Sequence, residues 1–300
     1  MASGERQRSV PPEVLLLGTV LLWSFNFTAV RYGITHGIAP LAYAGLRWLT
    51  SGVVLVAVVA ARGGSPLLGR RDLLVVALAS VVGVVLNQVA FAYSLRFATA
   101  SVVALVFGTL PVFVSIVSQL AGHERLRRRH WLATSVSFGG VALVAAGSGG
   151  GLHADVGGIL LALGTTLSFA VYSVAIVPAM RRHSPLAVNA ASCVIGGVLL
   201  CLVAAPWLAA EPWSRPPGLA WGALLYSGLG SIVVGNVFWF TAVNRAGAGR
   251  SALYANLQPF LGAVFGLAVL AEHLHGLQLA GGAVIACGIV LGGGGRLSTA

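Results

Sequence analysis

Ten apolar runs follow one another along this chain with little between them. They cover Val14–Ile34, Leu41–Ala61, Leu73–Tyr93, Ala98–Leu120, Trp131–Ala146, Val156–Val177, Ala187–Leu208, Leu219–Thr241, Ala248–Leu270 and Leu277–Gly295. A helix rises about 1.5 Å per residue, so roughly 20 apolar residues reach across the hydrocarbon core of a bilayer. Trp131–Ala146 is the shortest of the ten. Transmembrane strands would alternate polar and apolar residues over about ten positions, and these runs do not. The rest of the chain cannot supply a wet surface. Hydrophobic residues make up 57% and charged residues only 8%, against roughly 25% charged in a soluble domain. The expectation is an all-α polytopic membrane protein with ten transmembrane helices. Disordered chains, nucleic-acid modules and secreted disulfide scaffolds are excluded with it.

The net charge of +11 comes from 18 arginines and no lysine. Cytoplasmic loops of membrane proteins collect Lys and Arg. With the N-terminus inside, 14 arginines fall on the cytoplasmic side and only Arg96 and Arg215 in outer loops. The bias alternates loop by loop, and an error of one span would destroy it. Both termini are therefore expected in the cytoplasm, with the body in the inner (plasma) membrane. The arginines are expected to meet lipid headgroups rather than nucleic acid. Met1–Glu13 is a short polar tail, and the apolar stretch after it is too long for a signal-peptide core. Cys193, Cys201 and Cys287 lie inside apolar runs without metal-ligand spacing and read as packing residues. No cofactor is expected.

The chain repeats itself. Phe107-Gly-Thr-Leu-Pro111-Val-Phe113 is similar to Ala255-Asn-Leu-Gln-Pro259-Phe-Leu261, and Glu124 and Glu272 follow these prolines at the same distance. Gly140-Val-Ala-Leu143 matches Gly288-Ile-Val-Leu291 at the same offset of 148, and Asn87 matches Asn236 within one residue. Gly18-Thr19 matches Gly164-Thr165, and Pro40-Leu-Ala matches Pro185-Leu-Ala. The reading is a cytoplasmic tail 1–13, a five-helix repeat 14–149, a second five-helix repeat 150–295 and a tail 296–300. Five is odd, so the second copy enters the bilayer from the opposite side, as an inverted repeat. Such a pair can exchange conformations, which places a solute site near the midplane between the halves.

These residues carry a family resemblance. Trp23-Ser-Phe-Asn26-Phe27-Thr-Ala-Val-Arg31, followed by Pro40 and Arg47, resembles the opening of an EamA-type repeat of the drug/metabolite transporter superfamily. Phe91-Ala-Tyr-Ser-Leu-Arg-Phe-Ala-Thr-Ala-Ser101, Pro111, Glu124 and Gly140 resemble its second part, and Trp239 through Pro259, Glu272 and Gly288 repeat it. The resemblance spans nearly the whole chain. It implies ten helices and export of small metabolites, commonly amino acids, with YddG-type aromatic amino-acid exporters as the nearest comparison.

Polar residues are costly in lipid and turn towards a bundle interior or cavity. Helical spacing gathers Trp23, Asn26 and Phe27 on the first run; Tyr43 and Arg47 on the second; and Asn87 and Phe91 on the third. The second copy offers Phe169 and Tyr172, then Asn236 and Trp239, then Tyr254 and Gln258. These are the candidate substrate-binding residues. The bland alternative for each is ordinary helix packing or an interhelical hydrogen bond. The fifth and tenth runs are apolar or Gly-rich, and are expected to be supports or a homodimer contact. Pro111 and Pro259 sit mid-run in corresponding helices and are candidate bending points.

Arg31 and Arg47 lie towards the outer side. Each guanidinium either pairs a substrate carboxylate or snorkels to the interface. Glu124 is expected in a helix-end ion pair, and Glu272 in an outer latch with Arg31 or Arg47. All seven acids and all seven histidines lie at span ends or in loops, so no mid-depth proton relay is evident. The functional expectation is a non-enzymatic exporter of neutral or zwitterionic small molecules, most simply amino acids including aromatic ones, moving by facilitated diffusion. A carrier of hydrophobic drugs or nucleobase-like metabolites is the alternative. A membrane-embedded enzyme or a receptor is a remoter one.

Overall fold

The computed structural model describes residues 10–65, 67–122, 128–147, 152–246, 251 and 254–293. Glu124 with Arg125 and Arg127 lies outside them, as do Arg6, Arg8, Arg250 and Arg296. Among the described residues the chain is helical, with no strand.

The helices are α1 (Pro12–Thr35), α2 (Pro40–Ala61), α3 (Arg70–Phe97), α4 (Ala100–Leu120) and α5 (Arg128–Ala146). After them come α6 (Leu152–Ala175, carried on by Val177–Arg182), α7 (Pro185–Ala210), α8 (Gly218–Ala246), α9 (Gln258–Val269) and α10 (Gly276–Gly293). Seven helices are long and apolar enough to cross a membrane: α1 to α4, Val156–Arg182, α7 and α8. Trp131–Ala146, Gln258–Val269 and Gly276–Leu291 are shorter apolar helices. Helix starts follow the sequence. α1, α2 and α7 open on Pro12, Pro40 and Pro185, whose missing N–H would have had no partner in a first turn. α4 opens on Thr99, whose Oγ1 accepts from the Val102 N–H.

Two helices change pitch. Val81–Leu86 within α3 and Tyr226–Val234 within α8 wind as π-helix. Each such stretch runs up to one of the matched asparagines, Asn87 and Asn236. Two further helices break at matched positions. Gly108-Thr109 interrupts α4, and Asn256-Leu257 forms the turn before α9. The sequence suggests prolines in mid-helix. The structure instead puts Pro111 and Pro259 in the first turn of a new helical piece, just after each break. There the ring removes no hydrogen bond.

Helices of the first half pack on helices of the second: α2 on α7, α5 on α10, α3 on α6, α1 on both α8 and α9, and α4 on both α6 and α9. Large apolar side chains are exposed on the outside of the bundle, among them Leu17, Leu21, Leu74, Leu78, Leu160 and Leu202. α5 and α10 meet backbone to backbone. A Cβ built on Gly281 would lie 2.5 Å from the Gly140 carbonyl oxygen. Between apolar helices in lipid, such close approach through small residues is what holds a pair together.

Gly281→Val is therefore expected to lower the unfolding temperature of the detergent-purified protein by several degrees, since overpacking costs about 1–3 kcal/mol. Gly157→Val, where nothing lies within 4 Å of an added Cβ, should leave it unchanged. Equal unfolding temperatures for the two variants would contradict the α5–α10 contact.

Candidate functional site

A cavity of about 420 Å³ lies between α1, α2, α3, α4, α6, α7, α8 and α9. Among the described residues none of α5 or α10 lines it, in keeping with those two helices packing on each other outside it. Nine of the lining side chains are aromatic. Phe91, Phe27, Phe107, Phe169 and Tyr172 follow one another with ring centroids 5.7–6.2 Å apart. The Trp23 and Trp239 rings meet at 5.2 Å, and Trp23 Nε1 donates to the Ser231 carbonyl oxygen at 3.1 Å. A Cβ on Gly83, within the α3 π stretch, would overlap the Tyr172 ring at 2.2 Å. Glycine there is what lets α6 bring Tyr172 to the wall.

One end of the cavity carries the polar network. Arg47 is 3% exposed. Its Nη1 donates to Asn26 Oδ1 at 3.0 Å and to Ser227 Oγ at 2.6 Å, and its Nη2 donates to Gln88 Oε1. The guanidinium carbon lies 5.8 Å from the centroid of the Phe91 ring, over its face. Gln88 Nε2 donates to Asn87 Oδ1 at 2.7 Å. Asn87 Nδ2 donates to the Thr165 carbonyl at 2.7 Å, and Thr165 Oγ1 returns a bond to the Asn87 carbonyl at 2.8 Å. The chain Ser227–Asn26–Arg47–Gln88–Asn87–Thr165 thus crosses from one half of the sequence to the other twice.

Beyond Arg47 the bundle is filled. Val30, Ile34, Ile38, Tyr43 and Leu95 are essentially inaccessible and form one apolar cluster. An ion pair closes this end: Arg31 Nε lies 3.3 Å from Glu272 Oε1. Arg31 Nη1 also donates to the Leu95 carbonyl at 2.5 Å and to the Ala98 carbonyl, at the end of α3. The Glu272 carboxylate accepts from the Ala100 and Ser101 N–H groups at 2.8 and 2.9 Å and from Ser101 Oγ at 2.6 Å. It caps α4, where a negative charge suits the helix dipole. The cavity extends the other way, to Met180, Asn189 and Phe240. At that end of the bundle Asp72 is held by Arg182 and by His183 Nε2 at 2.8 Å.

Of the residues singled out from sequence, Trp23, Asn26, Phe27, Arg47, Asn87, Phe91, Phe169, Tyr172, Asn236, Trp239 and Gln258 line the cavity. Tyr43 and Tyr254 do not. Tyr43 packs its ring against Gly33 inside the apolar plug, where a Cβ on that glycine would lie 2.3 Å from the ring. Tyr254 is half-buried against Leu15, Leu16 and Ala242. Arg47 does not snorkel, because its partners hold it inside the bundle. Glu272 pairs with Arg31 and not with Arg47. Sequence spacing passed over Gln88, Trp48 and Phe107, all of which line the cavity. A count of 3.6 residues per turn sends Gln88 away from Asn87, and the two do meet different neighbours, Thr165 and Arg47; Gln88 shares its face with Phe91, three residues on. The usable signal was two adjacent amides in an otherwise apolar run.

A many-helix membrane bundle with an amphipathic cavity at the seam of its halves, plugged at one end, defines a membrane transporter. The chain belongs to the EamA-like transporter family, whose sequence profile matches it twice, over residues 11–146 and 156–292. It is 24% identical over 283 residues to an uncharacterized transporter of Archaeoglobus fulgidus, covering 93% of this chain and 97% of that one. It is 28% identical over 279 residues to a protein of Streptantibioticus cattleyicolor named "Probable terminal-alkyne amino-acid exporter", covering 92% and 91%. It is 26% identical to the uncharacterized inner membrane transporter YedA of Escherichia coli, covering 92% and 88%. A solved crystal structure with 23% identity shares the fold at a TM-score of 0.66, over 93% of this chain and 95% of the other.

Breaking a buried ion pair by removing one partner costs about 3–5 kcal/mol. Glu272→Ala removes the Arg31 pair and the α4 cap together. It should lower the unfolding temperature in detergent markedly more than Glu211→Ala, whose carboxylate accepts only one bond from the Ala39 N–H. A smaller loss at Glu272 would contradict the closure described.

Proposed function

We propose that this protein exports small amphipathic metabolites, most simply amino acids including aromatic ones, by alternating access through the seam cavity. The carrying observation is the cavity itself: an aromatic wall, one guanidinium and a set of amides at its closed end. A ligand with an apolar side chain and a polar head matches that division. The amino-acid exporter from Streptantibioticus cattleyicolor lends support to the class. A carrier of hydrophobic drugs or nucleobase-like metabolites is the second reading, favoured by the mainly apolar walls.

The transport cycle rests on a ten-span inverted repeat. The family profile matching twice supports it. So do the matched π stretches, the matched breaks before Pro111 and Pro259, and the way first-half and second-half helices exchange roles (α1 on α8 as α3 on α6; α1 on α9 as α4 on α6). In this reading the breaks at Gly108-Thr109 and Asn256-Leu257 are the bending points. The Arg31–Glu272 pair is the outer gate and the Asp72–Arg182 cluster the inner one. Both termini are cytoplasmic and the protein sits in the inner membrane, as the arginine distribution favours. No carboxylate lines the cavity among the described residues, which favours flux without proton coupling.

Reconstituted in proteoliposomes, the protein is expected to give saturable counterflow of an aromatic amino acid. Full burial of a large side chain contributes about 1.5–3 kcal/mol. Trp23→Ala and Phe169→Ala should therefore each raise KM roughly tenfold or more, with expression retained. A pH gradient should change the flux little. Unsaturable leak, or unchanged kinetics in both variants, would remove the proposed route.

A further inference from the structure

We infer that the cavity recognises its ligand by a carboxylate set against Arg47, and that the ligand's ammonium group is dispensable. The inference rests on the reading of this cavity as the transport site.

A guanidinium does not deprotonate in a protein, so Arg47 brings a full positive charge into the bundle. Its partners are Asn26 Oδ1, Ser227 Oγ and Gln88 Oε1, which are all neutral. The carboxylate of Glu272 is paired with Arg31, and that of Asp72 with Arg182 and His183. Neither reaches Arg47. The carboxylate of Glu211 is turned to the Ala39 N–H. A buried charge normally comes with an opposite one; here the described residues supply none within reach of Arg47.

The remaining wall leans the same way. Three cavity-lining side chains keep a buried polar atom without a partner: Arg47 Nε, Trp48 Nε1 and Asn189 Nδ2. All three are N–H donors. The nearby amide oxygens are occupied already: Asn26 Oδ1 by Arg47 and Ser227, Asn87 Oδ1 by Gln88, and Gln88 Oε1 by Arg47. Asn236 and Gln258 bring further amides to the wall, but the surroundings of Arg47 are short of free acceptors and, among the described residues, of negative charge. A carboxylate supplies both, and a guanidinium binds one with two parallel hydrogen bonds. An arriving ammonium finds aromatic faces but no anion.

The charge count ranks three ligands of one shape. A monocarboxylate makes site plus ligand neutral, a zwitterion leaves one positive charge, and an amine leaves two. Transport should follow that order. Amino acids remain substrates, and simple apolar or aromatic carboxylic acids join them.

The test uses purified full-length protein and three probes: 3-phenylpropanoate, L-phenylalanine and phenethylamine. Binding is read by quenching of tryptophan fluorescence and transport by counterflow in proteoliposomes. The expected result is that 3-phenylpropanoate binds at least as tightly as L-phenylalanine, and phenethylamine at least tenfold more weakly than either. Arg47→Gln should weaken the acid at least tenfold and abolish the ranking. Should Arg47→Gln fold poorly, Gln88→Glu tests the same point. It sets a carboxylate of the protein's own against the guanidinium, should keep or raise the unfolding temperature, and should also weaken the acid at least tenfold. Phenethylamine binding as well as the acid, no binding of the acid to the unaltered protein, or full affinity for it in either variant, would overturn the inference. Saturable counterflow of all three probes without preference would do so while keeping the transporter reading. Arg47-dependent binding of the acid with no counterflow of any probe would keep the carboxylate site and remove the transporter reading.

Discussion

The burial of one arginine organises the centre of this molecule. A guanidinium withdrawn from water must have most of its N–H groups met. Here the acceptors come from α1, α3 and α8 around a residue of α2. Those contacts fix the rotation of four helices relative to one another. They also place aromatic side chains one turn away, because Asn26 shares a face with Trp23 and Gln88 precedes Phe91 by three residues. The cavity follows from this arrangement. Where the amides meet the guanidinium the bundle is tight, and on the side away from it large rings hold the helices apart.

Secondary structure is bent to the same end. Residues 81–86 and 226–234 are wound more widely than an α-helix. Wide turns in α-helices are uncommon and gather at functional positions. In α3 the widening delivers Asn87 and Gln88 together, one to α6 and the other to Arg47. The interruptions in α4 and ahead of α9 fall beside the cavity as well, since Phe107, Leu110, Ala255 and Gln258 line it. Departures from regular helix are thus concentrated around one space, while α5 and α10, which stay out of it, are uninterrupted.

The membrane character, the position of nearly every helix and the choice of lining helices were legible in the sequence, because lipid forces apolar residues outward and leaves amides and small polar groups for the interior. Aromatic and amide residues at helical spacing led to most of the cavity wall. What spacing could not reveal was phase and depth. Gln88 was hidden because it lies a step round the helix from Asn87 and shares a face only with Phe91. Tyr43 lies off the cavity wall because the buried plug and the aromatic wall present the same residue types on one helix. The fate of Arg47 depended on acceptors brought by other helices, which no single run displays. Helix breaks at Gly108 and Asn256 were legible only through the prolines that follow them.

The two ends of the bundle are tied by ion pairs that differ in their contact with water. Glu272 is 6% exposed and Arg31 23%, whereas Asp72 is 10% exposed and its partner Arg182 52%. Mobile ions screen exposed charges over about 8 Å at physiological ionic strength and reach buried ones far less. Added electrolyte therefore loosens the Asp72 end while the Glu272 end stays fastened. The bundle is thereby fastened unequally at its two ends, and ionic strength weakens one fastening far more than the other.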